Sequence, residues 1–295
     1  MDEQEFLAEQ FEEHRARLRA VAYRMLGSLS EADDAVQDAW VRLSRSDADR
    51  NENLGGWLTT VVSRVCLNML RSRGTRREDL AGPHLPDPIV TVDDAALDPE
   101  EEALLADAVG VALLVVLETL TPAERLAFVL HDTFAVPFDE VATVLGRSPE
   151  ATRQLASRAR RRVQGASTAP DADLARQRAV VDAFFAAARA GDFDALVAVL
   201  DPDVVARSDG GLVNAHMSSV TIGPAAVAGQ ALRYANPAAE LRPALVNGAA
   251  GVVVTIGGRP VSIMGFTVVD GRVVEINSLA DPERIAALDL ADFSG

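Results

Sequence analysis

The sequence predicts a multidomain protein in which two all-α domains precede one α+β domain. Three observations support this prediction. Apolar residues recur at helical spacing up to about residue 166. Beyond residue 200 the pattern changes to short β-branched runs, and Asp270-Gly271 between two of them is a strong hairpin signal. Two segments rich in proline or small residues separate the three parts.

Composition limits the class of protein. The chain has 295 residues, enough for two or three domains, and a net charge of −16. No apolar run approaches the ~20 residues that cross a bilayer, and the acidic N-terminus argues against a secretory signal. A single cysteine, Cys66, excludes an intrachain disulfide and a thiolate metal cluster. We therefore expect a cytoplasmic protein with no membrane partner, no metal and no cofactor.

The charge is arranged in blocks. All 28 basic residues are arginine, and five of them lie in residues 64–77 with no acid. Residues 147–165 carry six arginines and one glutamate, whereas residues 84–107 carry eight acids and no arginine. The acidic total argues against nucleic-acid binding, but the two basic blocks favour such binding locally.

The first domain is predicted to be helical. Residues 4–45 have the spacing of two helices, with Ser30 as the expected N-cap of the second. A third helix is expected to open at Trp57, and its apolar surface is wide enough to pack against two partners. We assign residues 1–80 to this domain and residues 81–108, with four prolines and the acidic run, to a linker.

The second domain, residues 109–166, has the pattern of a helix-turn-helix. Thr121-Pro122-Ala123-Glu124 provides an N-cap, a proline at the first helical position and an acid in the first turn of a helix predicted over Ala123–Asp132. A helix over Phe138–Leu145 is expected to end at Gly146, and a basic helix over Glu150–Gln164 follows it.

The third domain, residues 174–295, follows a second linker over residues 167–173. Helices are predicted over Leu174–Arg189 and Asp192–Leu200. The predicted strands are Val204–Arg207, Gly251–Ile256, Val261–Val269 and Arg272–Ile276. Two helices followed by a curved antiparallel sheet make an α+β domain.

The basic helix has two distinct sides. Leu155 and its apolar neighbours share one side, and the other side presents Arg153, Ser157, Arg160 and Arg161. Arginines on one helix face suit the major groove, where they contact phosphates or pair bidentately with guanine. A solvated surface helix is the alternative.

The third helix carries a second polar stripe, formed by Arg64, Asn68 and Arg71. Asn68 could read a base edge or be a satisfied core asparagine. Trp57 could belong to the core or, beside the polar residues 50–56, help form a pocket for an unstacked base.

A resemblance joins these features. The segments Glu31–Arg42 and Trp57–Arg71 resemble region 2 of bacterial extracytoplasmic-function sigma factors. The segments that resemble region 4 are Thr121–Arg125, Phe138–Ala142, Leu145-Gly146 and Arg153–Arg160. Their order and spacing agree with that family over residues 1–165. The resemblance implies a protein that binds core RNA polymerase and directs transcription initiation by recognising the −10 and −35 promoter elements.

The resemblance also implies roles for individual residues. The surface that docks on core polymerase corresponds to Asp34, Gln37, Asp38 and Trp40. The −10 element would be bound by Trp57, Arg64, Asn68 and Arg71, with the 50–56 loop holding a flipped base. The −35 element would be bound by Arg153, Ser157, Arg158, Arg160 and Arg161. The acidic linker would thread toward the nucleic-acid channels of the polymerase.

The C-terminal third resembles a SnoaL-like domain with the cone fold of nuclear transport factor 2, on the residues Phe184–Leu196 and Leu200–Val204. One subgroup of these sigma factors carries that domain as a built-in regulator, which implies that no separate anti-sigma factor is needed. Three subgroup motifs have altered counterparts here, and we expect regulatory contacts from them. The first is His84–Pro88 in the linker, the second is Asp209–Val213 and the third is Asp281–Ile285. The residues expected to make these contacts are His84, Leu85, Pro86, Asp87, Pro88, Asp209, Gly210, Gly211, Asp281 and Pro282.

The sequence is also compatible with two other functions. The first is a one-component DNA-binding regulator whose cone cavity binds a small apolar ligand. The second is a polyketide-type cyclase with a helical DNA-binding appendage, which would need a general base such as Asp209, His216 or Tyr234. Asp209-Gly210-Gly211 could equally be a simple turn, and no spacing suggests an acid–histidine dyad. We therefore expect no catalytic residues and no enzyme.

Overall fold

The computed structural model describes residues 3–45, 53–74, 83–92, 110–166 and 170–293. These residues form two compact units, which are described separately below. The first unit contains both helical domains, and the second contains the C-terminal domain together with residues 83–92. Within the described ranges, no helix is both long and apolar enough to cross a membrane.

The first helical domain is a three-helix bundle. Its helices are α1 (Glu3–Leu26), α2 (Leu29–Leu43) and α3 (Leu54–Gly74), and each packs against the other two. Gly27, with φ of +69°, ends α1, so Ser28 is the extended residue that precedes α2. The prediction of Ser30 as N-cap is therefore wrong. The start predicted for α3 at Trp57 is also too late, because the helix begins three residues earlier.

The second helical domain contains the predicted helix-turn-helix. Its helices are α4 (Gly110–Glu118), α5 (Pro122–Phe128), α6 (Phe138–Leu145) and α7 (Pro149–Ala166). Thr121 and Glu124 form a complete capping box at the start of α5. Gly146, with φ of +64°, allows the left-handed turn between α6 and α7. The helix predicted to run to Asp132 instead widens into a π-helical turn over Val129–Thr133.

The two helical domains pack against each other inside the first unit. Helix α3 contacts both α5 and α6. Arg125 is buried, and its Nη1 donates to the Met25 carbonyl at 2.8 Å and to Glu118 at 2.9 Å. Because a buried guanidinium is stable only when it is paired, this contact joins the end of α1 firmly to α5.

The C-terminal domain is a curved sheet with helices on one face. The helices are α8 (Leu174–Ala190), α9 (Phe193–Val199) and α10 (Pro224–Tyr234). Its strands are β2 (Leu200–Asp209), β3 (Ser219–Ile222), β4 (Ala239–Val246), β5 (Ala249–Ile256), β6 (Arg259–Val269) and β7 (Arg272–Leu279). Strands β2 and β7 are parallel, and the other neighbours are antiparallel. The expected α+β architecture is present, although β3, β4 and α10 were not predicted.

Two apolar clusters stabilise this domain. On the helical face, the rings of Phe184, Phe185 and Phe266 meet edge to face with centroids 5.4–5.7 Å apart. On the opposite face, Ile263 and Leu279 pack with the C-terminal residues that follow β7, which begin with the short helix α11 (Pro282–Ala286). Both faces of the central strands are therefore covered by the domain's own chain.

The segment assigned to the first linker is in part a strand of this domain. Val90–Thr91 form β1, which pairs antiparallel with Val246 and Leu245 of β4 and extends the sheet to seven strands. The Asn247 N–H donates to the Ile89 carbonyl at 2.8 Å, and the Ile89 N–H donates back to Asn247 Oδ1 at 3.2 Å. The acidic run that begins at Asp93 lies outside the described residues.

Candidate nucleic-acid interface

The polar stripe on α3 is exposed. Arg64, Asn68 and Arg71 occupy positions i, i+4 and i+7 of the helix, and all three side chains are open to solvent. Asn68 is therefore not a satisfied core residue, and the stripe is available to a ligand. Trp57 is half-buried near the start of the same helix. Residues 50–52 of the expected base-holding loop lie outside the described residues.

The residues expected to dock on polymerase lie on α2. Asp34, Gln37 and Asp38 are exposed, whereas Trp40 is half-buried with its ring 5.2 Å from that of Phe11. Trp40 therefore lies where the apolar core meets this acidic surface, and its ring supports the surface from one side.

Neighbouring acids on α2 have a structural use. Asp33 accepts from Arg19 Nε at 2.6 Å, and Glu31 accepts from Arg73 Nε at 3.0 Å. Arg73 also donates to the Leu26 carbonyl at 2.8 Å. The Arg19 bond joins α1 to α2, and the Arg73 bonds join the end of α3 to the turn between α1 and α2, so together they fix the frame on which the other two surfaces lie.

Helix α7 has the two sides that its sequence predicts. The buried side consists of Thr152, Leu155, Ala156, Ala159 and Val163. Arg153, Ser157 and Arg161 are exposed on the other side. This arrangement fits the geometry of a recognition helix, which packs one side on its own domain and turns the other toward a groove.

Acidic residues of the second helical domain hold several α7 arginines in place. Glu124 is buried and accepts from Arg158 Nε and Arg162 Nη1, each at 3.0 Å. Burial alone would raise the pKa of Glu124, but hydrogen bonds from Thr121 and Arg158 and the nearby Arg162 charge lower it. A carboxylate that stays ionised fixes the directions of these guanidinium groups.

Arg160 is held in a similar way by a different acid. Its Nε donates to Asp132 at 2.8 Å, and Asp132 belongs to the π-helical turn that follows α5. The turn that interrupts the predicted helix therefore places an acid beside α7. Because no stretch of sequence signals that turn, this partner of Arg160 could not be predicted.

The altered motif of the linker and the two altered motifs of the C-terminal domain meet around Asp209 and Arg284. The Leu85 N–H donates to Asp209 Oδ2 at 2.9 Å, and Arg284 Nη1 donates to the same oxygen at 2.8 Å. Arg284 Nε also donates to Asp87 at 2.8 Å, and its Nη2 donates to the Leu85 carbonyl at 2.6 Å. We call this group, His84–Pro88 with Asp209 and Arg284, the latch.

Asp209 is the charged centre of the latch. Its residue is 4 % exposed, and His84 Nδ1 lies 3.5 Å from Oδ2. Burial alone would raise the pKa of Asp209, but hydrogen bonds from His84, Leu85 and Gly211 and the Arg284 charge lower it to about 2. Asp209 is therefore ionised at neutral pH and attracts the guanidinium of Arg284.

The two glycines of the second motif allow Asp281 and the Asn214 carbonyl to approach the backbone closely. A Cβ on Gly211 would lie 2.1 Å from Asp281 Oδ2, and a Cβ on Gly210 would lie 2.1 Å from the Asn214 carbonyl. Asp281 also caps α11 by accepting from the Glu283 N–H at 3.0 Å. The Asp209-Gly210-Gly211 segment is thus a turn, as the simpler interpretation held, but one built around a buried ion pair.

The residues considered as general bases do not form a site. His216 is exposed, Tyr234 is 49 % exposed, and Asp209 is engaged by Arg284. Among the described residues, no group of histidine, cysteine, aspartate or glutamate side chains could hold a metal ion.

Sequence reasoning missed several residues of these sites. Arg284 lies in the third altered motif, three positions after the Asp281 cap. A basic residue at this place was a signal for an ion pair. Glu124 was identified only as a capping residue. Asn247 gave no local signal for its contact with Ile89, nor Arg125 for its contact with the Met25 carbonyl, because these partners lie 158 and 100 residues away in the chain.

Comparisons with known proteins agree with this geometry. Residues 10–76 match the model for Sigma-70 region 2, and residues 110–163 match that for Sigma-70, region 4. The ECF RNA polymerase sigma factor SigJ of Mycobacterium tuberculosis is 41% identical, over 96% of this chain and 94% of the relative. The probable ECF RNA polymerase sigma factor SigI of the same organism is 36% identical over 93% of both chains. The crystal structure of SigJ superposes with a TM-score of 0.75 at 38% identity, covering 96% of this chain and 99% of that one.

Proposed function

The chain belongs to the extracytoplasmic-function family of RNA polymerase sigma factors, and from this premise we propose that its C-terminal domain restrains it until it meets the polymerase. As a member of the family, it binds core RNA polymerase and directs initiation at specific promoters. Family membership indicates a transcription regulator rather than an enzyme. Because core polymerase is cytoplasmic, we also infer a cytoplasmic location.

The contact between the two helical domains supports a restrained free state. The names of the −10 and −35 elements place them about 25 base pairs apart, which is roughly 85 Å of B-DNA. Packed helices lie only about 8–10 Å apart, and α3 packs directly on α5 and α6 of the helix-turn-helix. The two recognition helices therefore cannot reach both elements until this contact opens.

Opening would break specific interactions. Arg125 would leave the Met25 carbonyl, and Phe134 would leave Arg17 and Arg24, whose guanidinium carbons lie 5.9 and 5.0 Å from its ring centroid. A hydrogen bond to a charged group contributes about 1.5–3 kcal/mol, and an exposed cation–π contact contributes about 0.5–1 kcal/mol. Docking on polymerase must therefore supply a free energy of this order, which is within reach of a large protein interface.

The latch is the single observation that most favours a regulatory role for the C-terminal domain. It binds the chain that connects the two helical domains. Only nine residue steps separate Gly74 from Pro83, at most about 32 Å, whereas 36 steps separate Gly74 from Gly110, at most about 125 Å. A closed latch thus binds part of the sequence that joins α3 to α4, and we propose that its opening makes more of this sequence available when the two recognition helices separate.

The proposed residue roles follow from exposure and charge. We propose that Asp34, Gln37 and Asp38 dock on polymerase with Trp40 as apolar support. Arg64, Asn68, Arg71 and Trp57 are proposed to bind the −10 element, and Arg153, Ser157, Arg158, Arg160 and Arg161 the −35 element. The acids that orient Arg158 and Arg160 favour this role, because pre-ordered guanidinium groups lose less freedom on binding.

Run-off transcription with core polymerase tests the proposal. We expect core-dependent initiation by the full chain and a several-fold change when the latch is broken by Arg284→Ala. Arg242→Ala, which removes an exposed arginine paired only within β4, is the matched control. No core binding by any variant would refute the function. Equal activity of the full chain, Arg284→Ala and a chain truncated near Ser167 would refute the regulatory role alone.

Two expectations have no observation in their favour. The comparisons do not support the absence of a separate anti-sigma factor. A ligand in the cone is not favoured either, because Phe184, Phe185 and Phe266 fill the helical face of its sheet. We therefore advance no second function.

A further inference from the structure

We propose that Phe138 is a positioning residue that presets Arg153 to read a guanine in the −35 element. The inference rests on the proposed role of α7 and identifies which of its arginines carries sequence information. Phe138 is the first residue of α6, and Arg153 lies in the first turns of α7. The tight turn at Gly146 brings these two positions together.

The ring of Phe138 supports the guanidinium of Arg153. The Arg153 guanidinium carbon lies 5.5 Å from the ring centroid, within the range of a cation–π contact. A guanidinium stacked on a ring keeps its edge, with the N–H donors, free for hydrogen bonds. This edge is the group that pairs bidentately with O6 and N7 of guanine.

Phe138 is itself held in place. The ring of His131 stacks on it at a centroid distance of 3.6 Å, and His131 Nδ1 lies 3.0 Å from the Val136 carbonyl. A rigid ring restricts the rotamers of the side chain that rests on it. Arg158, Arg160 and Arg162 are oriented by acids, which also neutralise part of their charge.

The competing partner of Arg153 is weak. Glu150 Oε1 lies 3.7 Å from Arg153 Nη1, and the two side chains are 75 % and 54 % exposed. An exposed pair of this length contributes little and is screened by salt. The Arg153 guanidinium is therefore positioned mainly by a neutral ring and keeps its full charge for DNA.

The test compares base preferences at every position of the −35 element. Full-length chain and core polymerase select promoters from a library randomised over that element. We expect Arg153→Ala to lose the preference for guanine at one base pair. Phe138→Leu should weaken that same preference about two- to five-fold, the factor of a solvent-exposed cation–π contact, and leave other positions unchanged. Phe138→Tyr, which keeps an aromatic ring at this position, should retain the wild-type preference.

Two further variants separate this role from simpler ones. Arg153→Lys keeps the charge but loses the planar fork, so it should retain affinity for promoters that lack the guanine and lose affinity for those that carry it. Phe193→Leu, at an exposed phenylalanine of the C-terminal domain, controls for loss of a ring elsewhere. Combining Phe138→Leu with Arg153→Ala should be no worse than Arg153→Ala alone, because the ring acts through the arginine.

The outcomes distinguish this inference from the proposed function. If the wild-type chain selects no −35 element at all, the proposed function fails. If it selects one but Phe138→Leu weakens all positions equally, the ring is only structural and the inference is refuted. If Arg153→Ala weakens all sequences equally and lowers the salt dependence, Arg153 binds phosphate and the inference is also refuted.

Discussion

Replacing Asp209 with asparagine should release the latch. The change removes the charge that faces Arg284 but keeps the size of the side chain and one acceptor oxygen. In the wild type, the pKa of Asp209 falls from 3.8 to about 2. That difference corresponds to roughly 2 kcal/mol at neutral pH, after a reduction for screening by nearby solvent. The attachment of residues 83–92 should weaken by about this amount.

Hydrogen exchange of the full-length chain measures the attachment directly. The Leu85 N–H donates to Asp209, and the Ile89 N–H donates to Asn247, so both amides are protected only while the latch is closed. A loss of roughly 2 kcal/mol should accelerate their exchange by about 30-fold. Peptides from the β5–β6 hairpin should change little, since they do not contact Asp209.

Asp203→Asn is the matched control, because Asp203 lies on the same strand as Asp209 but is exposed. It should leave exchange of residues 83–92 unchanged. If Asp209→Asn leaves that exchange unchanged while the domain stays folded, the ion pair contributes nothing to the latch and the reasoning is wrong. If both variants accelerate exchange equally, the effect is one of net charge and not of the buried contact.

Three further predictions concern stability and reactivity. The stability advantage of the wild type over Asp209→Asn should be complete above about pH 4 and vanish as the pH falls to about 2, because the pKa of Asp209 is lower in the folded state than in the unfolded state. Thermal unfolding followed by circular dichroism checks this. Gly211→Ala should lower the melting temperature of the C-terminal domain by several degrees, because the added Cβ would lie 2.1 Å from Asp281 Oδ2 and the residue has a φ of +61°. Gly229→Ala is the control: nothing lies within 4 Å of its added Cβ, so the change should be neutral or slightly stabilising. Burial raises the pKa of the Cys66 thiol to about 12, so a thiol reagent at pH 8 should label Cys66 only after unfolding; rapid labelling of the native chain would contradict its buried position.

The helix-turn-helix was the most predictable part of the fold because its signals are local. Thr121 and Glu124 specify a helix start within four residues, and Gly146 specifies the stop between α6 and α7. The third domain was harder. Strand β4 carries Glu240, Arg242 and Pro243, which lack strand propensity and are tolerated because the strand lies near the edge of the sheet.

The contacts at the sites that could not be predicted from the sequence are those between residues far apart in the chain. The α3 residues that are expected to bind DNA could be predicted to be exposed, because helical spacing alone places them on one side of the helix. In contrast, the partners of Asp209 and Arg125 depend on tertiary packing between distant segments. Only the resemblance indicated that the three altered motifs matter together, and no periodicity would have joined them.

The pairing of β1 with β4 also has a consequence for solubility. An uncovered edge strand offers its backbone N–H and C=O groups to any other extended chain, and proteins guard such edges with charges and prolines. Most of β4 has this protection in Glu240, Arg242 and Pro243, but its last residues, Leu245 and Val246, are apolar and are covered by β1. We therefore expect a chain whose latch has opened to expose the edge of β4 at these two residues, where another extended chain could pair with it. Release of the linker is for this reason safest on the surface of the polymerase, where the opened chain is already held apart from its copies.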